Sequence, residues 1–218
     1  MNLVILGPQG SGKGTQAEKL AEKFDLEHVD MGKFLREVAK QNTPLGKEVY
    51  HIQNVTRTLV PSRILEEVLS MKLNSLPREQ GVLFEGVPRN VDQAQYFEKA
   101  MLESGRHIDK VILINISKEE SFRRISKRWV CKNCRKVLIM GEDVKNSDDK
   151  CPNCAGDITQ RADDVKEGIE TRLKIFEEET MPVIQHFDKK GLVVNINGEQ
   201  TQEKVFEEIL DKIKDISE

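Results

Sequence analysis

Two short patterns in this chain combine residue types and spacings that do chemistry. The first is Gly7-Pro8-Gln9-Gly10-Ser11-Gly12-Lys13-Gly14-Thr15. Its glycines let successive backbone N–H groups converge on an anion, and a lysine closing a GxxxxGK pattern sits over the terminal phosphates of a nucleoside triphosphate. The hydroxyl residue that usually follows that lysine is Gly14 here, with Thr15 one place later. The second pattern is Cys131-x-x-Cys134 followed, after sixteen intervening residues, by Cys151-x-x-Cys154. That spacing matches structural zinc sites, in which four thiolates close the tetrahedron and leave no position for water or substrate. A metal so held builds structure and does not react. A redox-active dithiol is the competing reading of the same cysteines.

A phosphate loop needs a buried strand before it and an amphipathic helix after it, because the helix N-terminus supplies free N–H groups and the positive end of its dipole. Both flanks are present. Asn2–Leu6 is a short apolar run, and Ala17, Leu20, Ala21 and Phe24 share one helical face behind the loop. Further apolar runs rich in Val, Ile and Leu lie at 82–84, 111–116 and 192–196, with a brief fifth candidate at 27–29. Helical faces recur at Ile169, Leu173 and Phe176, and at Val205, Ile209 and Ile213. Strands alternating with helices predict an α/β fold around a parallel sheet. Residues 30–60 and 129–164 interrupt the alternation and read as insertions, the first helical and the second carrying the cysteines.

Composition narrows the classes. The 218 residues, 38% hydrophobic, suffice for one large core with small insertions. Charged residues make up 33% and nearly cancel to −3, so nothing in the balance draws the chain to nucleic acid or an anionic membrane. No run reaches the length of a membrane span, and the N-terminal apolar stretch lacks the basic lead-in of a signal peptide, so a cytoplasmic protein is expected.

The glycine loop with its Gly12-Lys13-Gly14-Thr15-Gln16 ending resembles that of nucleoside monophosphate kinases, and the resemblance extends along the chain to the adenylate kinase family. Asp30-Met31-Gly32-Lys33-Phe34-Leu35-Arg36 looks like the family's acceptor-site helix, and Glu85-Gly86-Val87-Pro88-Arg89 with Gln93 like its strand-end acceptor motif. Arg124, Arg128, Arg161-Ala162-Asp163-Asp164 and Arg172 match the arginines around its lid. A lid with four cysteines is similar to the zinc-carrying form.

The resemblance implies a P-loop NTPase-type core (1–29, 61–128 and 165–218), a helical insertion for the monophosphate (30–60) and a zinc-bearing lid (129–164). It implies reversible transfer of a phosphoryl group from ATP to AMP with Mg²⁺ as cofactor, by a monomer whose partners are small molecules. ATP would be bound by Gly10, Ser11, Gly12, Lys13, Gly14, Thr15, Arg128, Val137, Leu138 and Gln200. AMP would be bound by Met31, Arg36, Thr58, Leu59, Val60, Gly86, Val87, Pro88, Arg89, Gln93, Arg161 and Arg172. Glu85 would hold Mg²⁺ through water, Asp163 and Asp164 would close the lid or cap a helix, and Lys13, Arg89, Arg124, Arg128, Arg161 and Arg172 would carry catalysis.

The chemistry supports such an assignment without the name. Two nucleotides bring roughly six negative charges into one cleft, and phosphoryl transfer is mainly positioning and neutralisation of that charge. Arginine forks suit phosphate oxygens, and the i, i+4 spacing of Arg124 and Arg128 predicts that one helical face presents both. No general base is needed, since a monophosphate oxygen is already ionised at neutral pH. Water must be excluded, which gives both insertions a task. Gln93 carries an amide able to pair with both a donor and an acceptor on an adenine edge.

Several residues depart from the family pattern. Met31 stands where a hydroxyl residue would donate a hydrogen bond, Lys33 where an acid is usual, Glu85 and Val87 where Asp and Phe are usual, and Leu138 where an aromatic would lie beside the donor base. Another nucleoside monophosphate, CMP, UMP or GMP, therefore stays open as acceptor. A zinc-ribbon nucleic-acid-binding ATPase is a third reading, resting on Trp129, Lys132, Arg135 and Lys136 near the cysteines, against 5% aromatic content and no basic face.

Overall fold

The computed structural model describes residues 1–56, 58, 60–160 and 164–216. Its strands are β1 (Asn2–Leu6), β2 (Glu27–Asp30), β3 (Val82–Glu85), β4 (Lys110–Asn115), β5 (Arg128–Cys131), β6 (Val137–Ile139), β7 (Ile158–Thr159) and β8 (Val193–Asn197). Five of them form a parallel sheet in the order β2-β3-β1-β4-β8. The expected runs are all strands, including the brief one at residue 27. Three end one residue later than their apolar stretch, because ladder pairing carries Asp30 and Glu85 into register opposite each other and Asn197 opposite Asn115.

Alternation along β1 divides the core. Val4 and Leu6 face one layer with Phe84, Phe97, Val68, Leu69 and Phe187, while Leu3 and Ile5 face the other with Leu20, Leu83, Ile112, Val205 and Ile209. Helices α4 (Ser62–Asn74), α5 (Val91–Glu103) and α8 (Met181–Asp188) cover the first layer. Helices α1 (Lys13–Phe24) and α9 (Gln202–Lys212) cover the second. Phe84 and Phe97 meet edge to face at 4.9 Å, each burying a side chain worth about 1.5–3 kcal/mol.

The first insertion holds α2 (Met31–Val38), α3 (Pro44–His51) and a widened π-helical turn at Ile52–Thr56. Asp30 Oδ1 caps α2 by accepting from the Lys33 amide at 2.9 Å, and Thr43 caps α3 through the Gly46 amide at 3.0 Å. The second insertion follows α6 (Lys118–Ser126), and its strands form a separate antiparallel sheet in the order β6-β5-β7. Past it, α7 (Lys166–Ile175) runs through a second π-helical turn, Phe176–Thr180, into α8. Among the described residues no helix is long and apolar enough to cross a membrane.

Candidate active site

The loop after β1 does what its glycines permit. Gly10 (φ 81°) and Gly12 (φ 87°) take the left-handed conformation, and Gly12 stands at the α1 N-cap with no side-chain cap and no acid in the first turn behind it. The first amides of α1 are left for an anion. Ser11 is buried at 2% exposure, and its Oγ has no hydrogen-bond partner among the described residues. The Lys13 ammonium folds back onto the Pro8 carbonyl at 3.3 Å. Burial pulls its pKa down to about 8; Glu85 opposes the fall, and the charges of Arg89 and Arg128 add to it. Gly14 has a spatial reason: a Cβ there would come within 3.3 Å of Glu85 Oε1.

Glu85 ends β3 beside this loop. Burial works against its charge, but a hydrogen bond with His28 Nε2 at 3.1 Å and the charge of Lys13 hold the carboxyl below the ordinary glutamate range. His28 has no signature in the sequence, since its role comes only from the β2–β3 pairing. Past Gly86 (φ 75°), a cis Val87-Pro88 bond leads to Arg89. The Arg89 Nε donates to the Gly86 carbonyl at 2.8 Å, its amide to Gln93 Oε1 at 2.8 Å, and its carbonyl accepts from Thr180 Oγ1 at 3.0 Å. Burial lowers the guanidinium's pKa, with Asp30 and Glu85 resisting, and an arginine so perturbed remains a cation.

The acceptor-side expectations change in three places. Met31 is only 2% exposed and belongs to the core with Leu35, Val38 and Phe84, so its thioether is not turned toward the cleft. The amphipathic rotation of α2 decides this, since Leu35 lies four residues further along the same face. Val87 is likewise buried at 1% exposure, and Pro88 beside it is buried. Gln93 is 3% exposed and spends its amide on backbone, accepting from Arg89 and donating to the Val60 carbonyl at 2.9 Å. It ties α5 to the end of the first insertion. Arg36 and Thr58 are exposed, with Thr58 Oγ1 3.1 Å from Thr56 Oγ1. Leu59, Arg161 and Asp163 lie outside the described residues.

The lid-side arginines do not share a helical face. The helix α6 stops at Ser126, and Arg128 opens β5, because the chain must turn into the antiparallel sheet there. Arg124 donates to Glu120 at 2.6 Å and to the Gly198 carbonyl at 2.8 Å, joining α6 to the loop after β8. Arg128 Nε donates to Asp164 Oδ2 at 2.8 Å while Arg172 Nη2 donates to Asp164 Oδ1 at 3.0 Å. Burial disfavours the Asp164 charge, yet these two guanidinium groups hold its carboxyl below the usual range. Asp164 caps no helix: Val165 is the α7 N-cap and makes no side-chain bond. Gln200 Nε2 donates to Glu208.

In the small sheet, Val137 is exposed at 45%, but Leu138 is fully buried in a cluster with Cys131, Val144, Cys151 and Ile158. The side chain of Leu138 is therefore not beside a donor base; strand alternation turns it inward, opposite Trp129 in β5. The cysteine sulfurs gather: one ligand atom from each of Cys131, Cys134, Cys151 and Cys154 lies within 4.8 Å of the others. The amides of Asn133 and Cys134 both donate to Cys131 Sγ at 3.4 Å, which favours the thiolate. Gly156 admits nothing larger, since a Cβ would stand 2.8 Å from Asn133 Cβ and 3.2–3.3 Å from two of the sulfurs. Lys132, Arg135 and Lys136 are exposed.

A family model described as adenylate kinase matches residues 5–192. The chain is 39% identical over 209 residues to an adenylate kinase of Methanothrix thermoacetophila, covering 96% of each. It is 34% identical over 217 residues to one of Archaeoglobus fulgidus, covering 98% of this chain and all of the relative. It is 35% identical over 209 residues to one of Thermoanaerobacter, again covering 96% of each. Phosphate loop, strand-end arginine and four-cysteine insertion thus occur together in a chain matched nearly end to end, and the chain belongs to the adenylate kinase family.

Proposed function

We propose that the protein transfers a phosphoryl group reversibly from ATP to AMP, giving two ADP. The observation that carries the reading is the convergence of Lys13, Arg89, Arg128 and Arg172 on the space between the glycine loop and the β3 end, where the charges of Arg89 and Arg128 press on Lys13 and that of Arg172 presses on Arg89. Such mutual repulsion among cations costs stability unless an anion of high charge is bound there.

On this reading residues 10–15 and the α1 N-terminus hold the ATP phosphates, with Arg128, Val137, the Leu138 backbone and Gln200 on the donor side. Arg36, Thr58, Leu59, Val60, Gly86, Arg89, Arg161 and Arg172 enclose AMP. Gln93 serves by fixing Val60 and Arg89, and Arg124 by fixing the loop after β8. The AMP phosphate oxygen attacks the γ-phosphorus in line, the bond to the β-phosphate oxygen breaks, and Lys13 with the arginines neutralises the charge throughout. The lid, which Asp163 and Asp164 serve to close, excludes water.

Glu85, with Asp30 in register beside it, would hold a Mg²⁺ ion through water, and the ion would supply neutralisation of phosphate charge. The four sulfurs fit a structural zinc ion. The enzyme then works as a cytoplasmic monomer on small molecules. Parallel assays of ATP with AMP, CMP, UMP, GMP and dTMP test the acceptor. AMP should turn over fastest, and faster turnover with CMP or UMP would replace AMP and leave only the reaction class.

A further inference from the structure

The Gln9 side chain has no role in phosphate-loop chemistry, which uses backbone amides and the lysine. Yet it is aimed. Ser121 Oγ donates to the Gln9 carbonyl at 2.5 Å, fixing its backbone against α6. With the amide oriented as its neighbours require, oxygen toward donors, Oε1 accepts from Arg128 Nη2 at 3.0 Å and from Arg172 Nη1 at 2.7 Å. The same guanidinium groups also both donate to Asp164, Arg128 through Nε and Nη2 and Arg172 through Nη2. Arg128 and Arg172 are thus fastened to each other by a carboxylate outside the loop and to the phosphate loop by a neutral oxygen within it. Arg128 opens β5 in the lid sheet, so this contact docks the lid on the donor site.

The chemistry of the acceptor matters. An amide oxygen bonds a guanidinium well enough to hold it but more weakly than an oxygen carrying formal charge. A phosphoryl oxygen entering above the loop outcompetes Gln9 for both arginines, whereas a carboxylate at the same place would not yield them.

We propose that Gln9 is a latch: its amide oxygen holds Arg128 and Arg172 at the phosphate loop of the nucleotide-free enzyme and surrenders them to the phosphoryl oxygens of the donor. Gln9 is a positioning residue, and the proposal rests on the donor-loop reading above. It predicts that the lid-side arginines are docked before ATP arrives, so that part of the ordering they need is already in place.

Trp129, the only tryptophan in the chain, follows Arg128 in β5 and packs on the lid cluster, so its emission reports on the docked segment. The test compares wild type, Gln9→Ala and the isosteric Gln9→Glu, reading Trp129 emission and anisotropy with and without ATP, together with kcat and KM. Gln9→Ala should loosen the nucleotide-free state (lower anisotropy), match wild type when saturated with ATP, and raise the ATP KM about 3- to 10-fold. Gln9→Glu should raise free-state anisotropy, raise the ATP KM by competing with phosphate, and lower kcat by holding the arginines.

Opposite free-state shifts in the two variants distinguish a latch from a merely distorted loop. Free-state anisotropy and ATP KM unchanged in Gln9→Ala would overturn the latch, as would both variants shifting the same way. Wild-type emission that ignores ATP would overturn the donor-loop reading and the latch with it. A wild type that responds while Gln9→Ala behaves identically removes the latch alone.

Discussion

Thr180 Oγ1 donates a hydrogen bond to the backbone carbonyl of Arg89 at 3.0 Å, from the last residue of the π-helical turn that joins α7 to α8. The amide of Arg89 is already bound to Gln93, so the peptide groups on both sides of the arginine are fixed. The same helical rod carries Arg172 two turns earlier, which links the acceptor arginine mechanically to the lid side.

Thr180→Val keeps the shape and removes the donor. Leaving this partly buried carbonyl unpaired costs about 1 kcal/mol, which should appear as a lowered melting temperature and an AMP KM raised several-fold, with the ATP KM little changed. Thr180→Ser should restore the AMP KM. Equal effects on both substrates would show that Thr180 supports the fold only.

Lys13→Met should reduce transfer by roughly 100-fold or more while circular dichroism shows the fold unchanged, because the ammonium acts on phosphate from the first residue of α1. The lysine also sets a pH dependence. Its folded value of about 8 lies below the ordinary 10.5, so between those limits the unfolded chain binds more protons and stability of the free enzyme rises with pH. ATP binding moves the other way, its KM increasing above pH 8 as the charge is lost. Urea titrations of wild type and Lys13→Met at pH 7.5 and 9.5 check this: the rise should be absent from the variant.

Removing the metal should lower thermal stability by roughly 5 °C or more and open the segment between Trp129 and Asp164 to protease, since few apolar side chains support it otherwise. Cys131→Ser should act alike. Gly156→Ala should weaken metal retention because its Cβ meets Asn133 and two sulfurs. Calorimetry and metal analysis after chelation read both. Unchanged melting after the metal is gone would end the structural role.

Met31→Thr separates a core residue from a specificity residue. With Met31 in the apolar cluster, the substitution should cost about 2 kcal/mol of stability through lost packing and a buried hydroxyl, and leave the AMP KM within about two-fold. A sharper preference for AMP without loss of stability would return the side chain to the cleft.

The strand and helix at the glycine loop, the parallel α/β class and the cysteine cluster were legible in the residues themselves. Each rests on local periodicity or on spacing that few other arrangements satisfy: a continuous apolar run is a buried strand, left-handed turns require Gly10 and Gly12, and paired Cys-x-x-Cys motifs bring four sulfurs together. Tertiary structure alone decided which side chains meet. The opposition of Asp30 and Glu85 and the bond from His28 come from pairing two strands more than fifty residues apart. Arg128 leaves the helix of Arg124 because sheet pairing with β6 and β7 outweighs one more helical turn. Met31 and Leu138 turn inward and Gln93 bonds backbone because burial of distant faces sets the rotation of a helix and the register of a strand, and no short window of sequence contains that competition.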